Sequence, residues 1–279
     1  MPTRRSTAPK IRWRQDVVFH STPAGSFDCG MMLKPQPERG YVNRIRRDYV
    51  GILVLRGEGV FTDWRDRAWR VGPGDFIQHP PDLRHSVVPA STDWAEFYFR
   101  FPAAPYRALD ELGLIDARPV LHPGLSAELV QRMEQLLAEA RGAVRSDLPL
   151  VLVRMHELLV AVQRMARHAG RRERERSVID LACQRLGERL SEACDLAQLA
   201  DDLGVSYERF RKLFGQHVGQ SPGEYRIHRR LDAARRLLRH EGLTVKETAY
   251  RLGYPDPFTF SRQFKRHTGQ TPIACQRSA

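Results

Sequence analysis

Between Gly204 and Ala279 there are fifteen lysines and arginines against six aspartates and glutamates. In the preceding stretch, Ser177 to Leu203, the count is two against six. A chain with a formal net charge of +12 therefore gathers its positive charge near its C-terminus. That is the distribution a phosphate-backbone binder requires. A second set lies in the N-terminal half. There Trp94, Glu96 and Tyr98 alternate along one face of an apolar segment. Such a face is unusual for a core and suits a polar ligand with an apolar ring face. Metal catalysis is the competing chemistry, but His79 and His85 are separated by Pro80 and Pro81 and do not take a short even step along one strand. Cys29, Cys183, Cys194 and Cys275 show no CxxC spacing. This speaks against a zinc site or disulfide framework and suits a reducing cytoplasm. No apolar run of about 18 residues occurs, so no membrane helix is expected. The charged N-terminus has no apolar core, so no secretory signal is expected.

The basic stretch is built on one phrase written twice. Leu199-Ala200-Asp201-Asp202-Leu203-Gly204, Phe210, Phe214 and Gly219-Gln220-Ser221-Pro222 return as Thr248-Ala249-Tyr250-Arg251-Leu252-Gly253, Phe260, Phe264 and Gly269-Gln270-Thr271-Pro272. Gly204 and Gly253 are 49 apart, whereas Phe210 and Phe260 are 50 apart. The second copy thus carries one extra residue in its turn. Each copy reads as helix, turn, helix. Asp195-x-x-Gln198 and Thr244-x-x-Glu247 are capping-box signatures. Gly204 and Gly253 stand where a left-handed residue ends a first helix. Ser206 and Asp256 are N-caps, with Pro257 at the first helical position. Phe210, Leu213 and Phe214, and again Phe260 and Phe264, give each second helix a buried face. This geometry lays the second helix in a DNA major groove. Ser221 to Glu224 caps a long helix from Pro222 to about Arg239 that joins the copies.

The length of 279 residues favours two domains. Residues 27–101 read as short strands punctuated by turns at Arg56–Gly59, Asp63–Arg67 and Gly72–Asp75, the pattern of a small all-β barrel. Residues 126–168 read as two helices, broken at Ser146–Pro149. Leu129, Val130, Met133, Leu136 and Leu137 face inward on the first, and Val151, Met155, Leu158, Leu159, Val162 and Met165 on the second. They cover one end of the barrel, pair with a second subunit, or do both. The run Gly170 to Arg176 has no apolar face and reads as a linker. The domain reading is therefore an arm over 1–20, a ligand-sensing and dimerisation domain over 21–169, a linker over 170–176 and a DNA-binding domain over 177–279. The fold class expected is α+β multidomain: a cupin-like β-barrel with two helices, then an all-α domain with two helix-turn-helix motifs.

These features resemble the AraC/XylS transcription regulators. The C-terminal match rests on Gly253-Tyr254, Phe260-Ser261-Arg262-Gln263-Phe264-Lys265 and Thr268-Gly269-Gln270-Thr271-Pro272. Cys275 stands where the family has an aromatic residue. The N-terminal match to the cupin-type sensor, closest in layout to arabinose-responsive members, rests on Leu55-Arg56-Gly57-Glu58-Gly59, Pro73-Gly74-Asp75, Pro80-Pro81 and Trp94 to Arg100. The resemblance implies that the first recognition helix presents Tyr207, Glu208, Arg211 and Lys212. The second presents Pro257, Phe258, Thr259, Ser261 and Arg262, while Lys265 and Arg266 reach phosphates. Arginines and lysines donate to guanine or to phosphate; Phe258 and the Thr259 methyl meet thymine methyls. The two helices would enter successive major grooves about 34 Å apart. In the sensor, the resemblance implies ligand contacts at Arg44 or Arg46, His85, Val87, Trp94 and Glu96. Val87 replaces a hydrogen-bonding aromatic, so the sugar need not be arabinose.

The expected function is a cytoplasmic, ligand-responsive transcription regulator of sugar or small-molecule catabolism, more an activator than a repressor. It is not an enzyme and needs no cofactor or metal. Its partners would be double-stranded operator DNA, a small sugar-like effector, a second copy as a homodimer and, for an activator, RNA polymerase; no membrane is involved. The alternatives are a metal-dependent cupin enzyme fused to a DNA-binding domain and a ligand-independent DNA-architectural protein.

Overall fold

The computed structural model describes residues 16–22, 25–34 and 40–277. The chain divides at Arg171/Arg172 into two compact units. The N-terminal unit holds ten strands: β1 Asp16–Thr22, β2 Gly25–Lys34, β3 Tyr41–Arg44, β4 Tyr49–Arg56, β5 Gly59–Thr62, β6 Ala68–Val71, β7 Phe76–His79, β8 His85–Pro89, β9 Trp94–Phe101 and β10 Val120–Leu121. Helix α1, Ala103–Glu111, follows β9, and α2, Ala127–Gly142, follows β10. One sheet runs β1-β2-β9-β4-β7-β10, the other β3-β8-β5-β6.

Alternation along β9 assigns the two faces of the larger sheet. Trp94 packs with Val50, Ile52, Val54, Phe61, Ile77 and Val87 in an interior shared with the smaller sheet. Phe97, Phe99 and Phe101 point the other way, into a cluster with Leu129, Met133, Leu136, Met155 and Leu159. Both faces are buried, so β4 and β9 are apolar nearly throughout. The helices therefore cover a sheet face rather than the end of a barrel. Ser126 caps α2 by accepting from the Leu129 amide at 3.1 Å, and all five expected inward side chains are buried.

Three expectations need correction. Residues 16–20 form part of a strand paired with β2, from Asp16↔Met31 onward, instead of an arm; residues 1–15 lie outside the described residues. Strands β1 and β10 extend the sheet beyond 27–101. Residues 170–176, expected as the linker, contain the division at Arg171/Arg172 but are helical, because α3 runs from Leu148 to Gly187 through them. Their many charges suit a solvated helix as well as a linker, and Ser177 Oγ donates to the Glu173 carbonyl one turn earlier.

In the C-terminal unit the last turns of α3 are followed by α4 Leu196–Asp202, α5 Tyr207–Val218, α6 Pro222–Arg239, α7 Val245–Arg251, α8 Pro257–Thr268 and α9 Pro272–Arg277. Two cores serve the two copies. Ile179, Ala182 and Leu186 pack with Leu199, Ala200, Phe210, Leu213 and Phe214. Leu231, Ala234, Leu237 and Leu238 of α6 pack with Ala249, Tyr254, Phe260, Phe264 and Cys275. Cys275 is fully buried, and thus α9 closes the second core despite the missing aromatic. Four helix starts are capped as expected, at Ser206, Ser221, Thr244 and Asp256. Asp195 caps α4 by accepting from the amides of Ala197 and Gln198, but Gln198 donates to Asp202 and does not complete a box.

The repeat glycines are alike in backbone and unlike in surroundings. Gly204 has φ +69° and Gly253 φ +73°. A Cβ on Gly204 would meet nothing within 4 Å, whereas one on Gly253 would sit 1.8 Å from the Ser191 carbonyl oxygen. Gly204→Ala should cost only the left-handed penalty, about 1–2 kcal/mol. Gly253→Ala adds a backbone collision and should cost about 1–3 kcal/mol more. Denaturant midpoints of the two variants check this; equal losses would refute the steric difference.

Candidate DNA-reading surface and sensor site

Four phenylalanines fix which faces of α5 and α8 are available. Phe210, Phe214, Phe260 and Phe264 are each fully buried. Each contributes about 1.5–3 kcal/mol of burial and so pins the rotation of its helix. Residues off that face must then point outward. Tyr207, Glu208, Arg211 and Lys212 are all exposed on α5. On α8, Phe258, Arg262, Lys265 and Arg266 are exposed, and Pro257, Thr259 and Ser261 are half-buried. Phe258 keeps 75% of its surface exposed at the second helical position. The Thr259 hydroxyl donates to Asp256 Oδ2 at 2.8 Å, while Asp256 Oδ1 accepts the Thr259 amide at 2.7 Å. The hydroxyl is thus part of the helix cap, and the methyl is what this residue has left to offer. Those hydrogen bonds, with the Arg262 charge also contributing, hold the Asp256 carboxyl below the usual carboxylate range.

Sequence reasoning missed the group that secures the first copy. Arg226 of α6 is buried and donates to four carbonyls: Leu186 at 3.1 Å, Glu188 at 3.4 Å, Arg189 at 3.0 Å and Glu192 at 2.7 Å. These carbonyls lie at and beyond the C-terminus of α3, where a helix leaves its last acceptors without intrahelical partners; that of Arg189 also accepts the Glu192 amide at 3.1 Å. A cation at that helix end also meets the negative pole of the macrodipole. Nothing in the local sequence marks Arg226, because its partners lie 34 to 40 residues away.

In the N-terminal unit the interior carries charge. Lys34 Nζ lies 2.7 Å from Glu96 Oε1, with both side chains almost fully enclosed. Trp94 Nε1 donates to Glu96 Oε2 at 2.6 Å. Register explains the ion pair: Met32 faces Glu96 across β2 and β9, so Lys34 is its diagonal neighbour. Toward the other end of these strands, Asp28 accepts from Tyr98 at 2.9 Å and from Arg100, and Arg100 reaches Asp48 at 3.0 Å. Tyr41 faces the paired rings of His79 and His85, which stack with centroids 3.8 Å apart.

Of the expected ligand residues, Trp94 and Glu96 are placed together, with the indole N–H donating to the carboxylate. Val87 is a fully buried apolar wall. His85 is enclosed, Arg44 is paired with it in register across β3 and β8, and Arg46 is half-buried nearby. Lys34, Asp28 and Tyr41 were not foreseen, although the charges of Asp28 and Lys34 on an otherwise largely apolar β2 were a signal. The histidine spacing misled: β7 and β8 belong to different sheets, and the barrel brings His79 and His85 face to face. Among the described residues no group of three or more His, Cys, Asp or Glu could hold a metal ion.

Burial, and then the neighbouring His85, Arg46 and Lys34, push the His79 pKa well below its usual value. Burial, with Arg46 and Arg44 as further causes, takes His85 from 6.5 down to about 4. Both rings are therefore neutral in the folded protein at neutral pH. The unfolded chain takes up their protons first, so this stability is complete above about pH 6.5 and is lost as pH falls toward about 4. Melting midpoints between those limits should drop less steeply for His85→Gln than for the native chain; parallel slopes would remove His85 from the titration.

The AraC-like ligand binding domain family matches residues 34–159, and a helix-turn-helix domain family matches residues 199–278. The arabinose operon regulatory protein of Salmonella typhimurium is 25% identical over 270 residues, covering 90% of this chain and 94% of that one. The HTH-type transcriptional activator RhaR of Cronobacter sakazakii is 26% identical over 243 residues, covering 79% and 81%. The lactose operon transcription activator of Staphylococcus xylosus is 20% identical over 256 residues, covering 86% and 87%. Among the described residues no helix is long and apolar enough to cross a membrane.

Proposed function

Since the chain joins an AraC-like ligand-binding domain to a helix-turn-helix domain of the same kind, it belongs to the AraC family of ligand-responsive, DNA-binding transcription regulators, and we propose that it acts as a cytoplasmic, homodimeric activator of a sugar-type catabolic operon. The names of the relatives, a regulator of an arabinose operon, an activator of a lactose operon and the transcriptional activator RhaR, favour activation and a sugar-like effector. Activation would bring RNA polymerase as a further partner.

The observation that carries the DNA reading is the outward set on α5 and α8, forced out by the buried phenylalanines. We assign Tyr207, Glu208, Arg211 and Lys212 to one half-site. Phe258, Thr259, Ser261 and Arg262, entered through Pro257, read the other. Lys265 and Arg266, further along α8, bind phosphates. Arg262→Ala should weaken binding by about 1–3 kcal/mol and relax one operator position. Selection of duplexes from a random library by the native and variant chains checks this; a uniform loss over all sequences would make Arg262 a phosphate contact.

The dimer reading rests on α3. Leu150, Val153 and Val160 are 54%, 51% and 48% exposed. They recur at spacings of three and seven residues, the seam of a helix–helix pair. They stand beside an apolar groove of about 800 Å³ lined by Leu109, Leu112, Val153, Val160 and Ala161 and edged by Arg132, Arg154 and Arg164. A second copy's α3 is the occupant we assign. Sedimentation should show a dimer for the native chain and a monomer for the Val153→Glu, Val160→Glu double variant; a dimer in both would place the interface elsewhere.

A further inference from the structure

The polar groups of the sensor interior divide into those already paired and those still open. Both oxygens of Glu96 are engaged, one by Lys34 and one by Trp94. Both oxygens of Asp28 are engaged by Arg100 and Tyr98, and Asp48 also takes Arg100. Around Tyr41 the balance is different. The Arg44 guanidinium carbon stands 5.0 Å from the Tyr41 ring centroid. Among the described residues no carboxylate lies within ion-pair distance of Arg44 or Arg46. Burial, and then repulsion from Arg44 and Arg100, lower the Arg46 pKa from the usual arginine value. Two guanidiniums thus act on one another, and among the described residues no carboxylate is in contact with either.

His85 adds an acceptor. Its Nδ1 lies 3.1 Å from the Leu83 carbonyl oxygen, which can only accept, and hence Nδ1 carries the ring proton. Nε2 is left with a lone pair, is enclosed, and has no partner. A buried acceptor without a donor is unfavourable, and a ligand O–H would relieve it. The Tyr41 hydroxyl is taken by the His79 ring, 3.4 Å away, so the open set is the Arg44 and Arg46 guanidiniums and one imidazole lone pair.

We propose that this corner binds a small hydroxycarboxylate, a sugar acid or simpler hydroxy acid, whose carboxylate sits on Arg44 and Arg46 and whose hydroxyl donates to His85 Nε2. A carboxylate supplies the missing charge and relieves the repulsion between the arginines; Arg presents paired donors that match its two oxygens. A neutral polyol would leave the two guanidiniums without a counter-charge. The assignment rests on the reading of this unit as the effector sensor.

The test is calorimetric titration of the full chain, at fixed pH and ionic strength, with D-gluconate, D-galactonate and D-glycerate. D-glucitol serves as the neutral polyol and hexanoate as the acid without a hydroxyl. At least one hydroxy acid should bind about tenfold or more tighter than either control. Arg44→Gln and Arg46→Gln, at solvent-accessible positions, should each weaken that binding by about tenfold. His85→Phe should narrow the gap between hydroxy acid and hexanoate, with the unliganded melting midpoint recorded to confirm folding. Glucitol binding as tightly, no member of the panel binding, or undiminished affinity in both arginine variants would overturn the proposal. Parallel DNA titrations separate the two readings. A hydroxy acid that binds without altering DNA affinity defeats the regulatory reading and leaves the site standing. A neutral sugar that alters DNA affinity, with no hydroxy acid bound, does the reverse.

Discussion

Burial of one face of a helix commits the opposite face, and this constraint organises the C-terminal unit twice. Phe210 with Phe214, and Phe260 with Phe264, stack edge to face one turn apart, with ring centroids 5.6 Å apart in each pair. Each pair sits in its own core, so α5 and α8 are fixed in rotation independently. Helix α6 contributes to both, through Tyr225 near its start and Leu231 to Leu238 further on. Every other device in the unit serves these two placements. Capped N-termini set where the helices begin, and left-handed glycines set where their predecessors end. Arg226 ties α6 to the end of α3 through the Leu186 and Glu188 carbonyls, and to the turn beyond it through those of Arg189 and Glu192.

The sensor follows a different logic, in which charge is enclosed and must be balanced. A buried ammonium or carboxylate left alone is strongly destabilising, so Lys34 and Glu96 fix each other. The same requirement ties Arg100 to Asp28 and Asp48. The sheet carrying these groups is covered on its far face by α2 and α3, which leaves the polar interior no relief by local distortion. Selectivity then comes from whichever groups the internal pairing leaves over, and not from the full inventory of polar residues.

Much of the helical half was legible in sequence, because caps, glycine stops and aromatic spacing are all local signals. Pro222–Arg239 matches its expected bounds, and Ser206 and Asp256 cap the helices they were expected to cap. The barrel was legible as a fold class and less so as a site. Alternation along Trp94–Phe101 correctly separated its two faces. Spacing along one strand, however, says nothing about residues that meet from two sheets, which is how the stacking of His79 on His85 escaped. The same holds for Lys34 with Glu96, a diagonal pair that only the β2–β9 register reveals. Residues 170–176 show the limit of composition: a charged run without an apolar face is equally a linker or a solvated helix, and here it is helical.

The cap of α8 has an evolutionary consequence. Asp256 and Thr259 hold the helix start through two hydrogen bonds, and Phe258 stands between them in the chain with its ring in solvent. A change at Thr259 alters folding and base contact together, and selection for a new operator there must also repair the helix. A change at Phe258 leaves those hydrogen bonds untouched, whereas one at Arg262 also removes a charge that supports the Asp256 carboxylate. Under the proposed base reading, operator preference in descendants of this chain should therefore drift most freely through position 258, while 256 and 259 persist as a fixed frame around it.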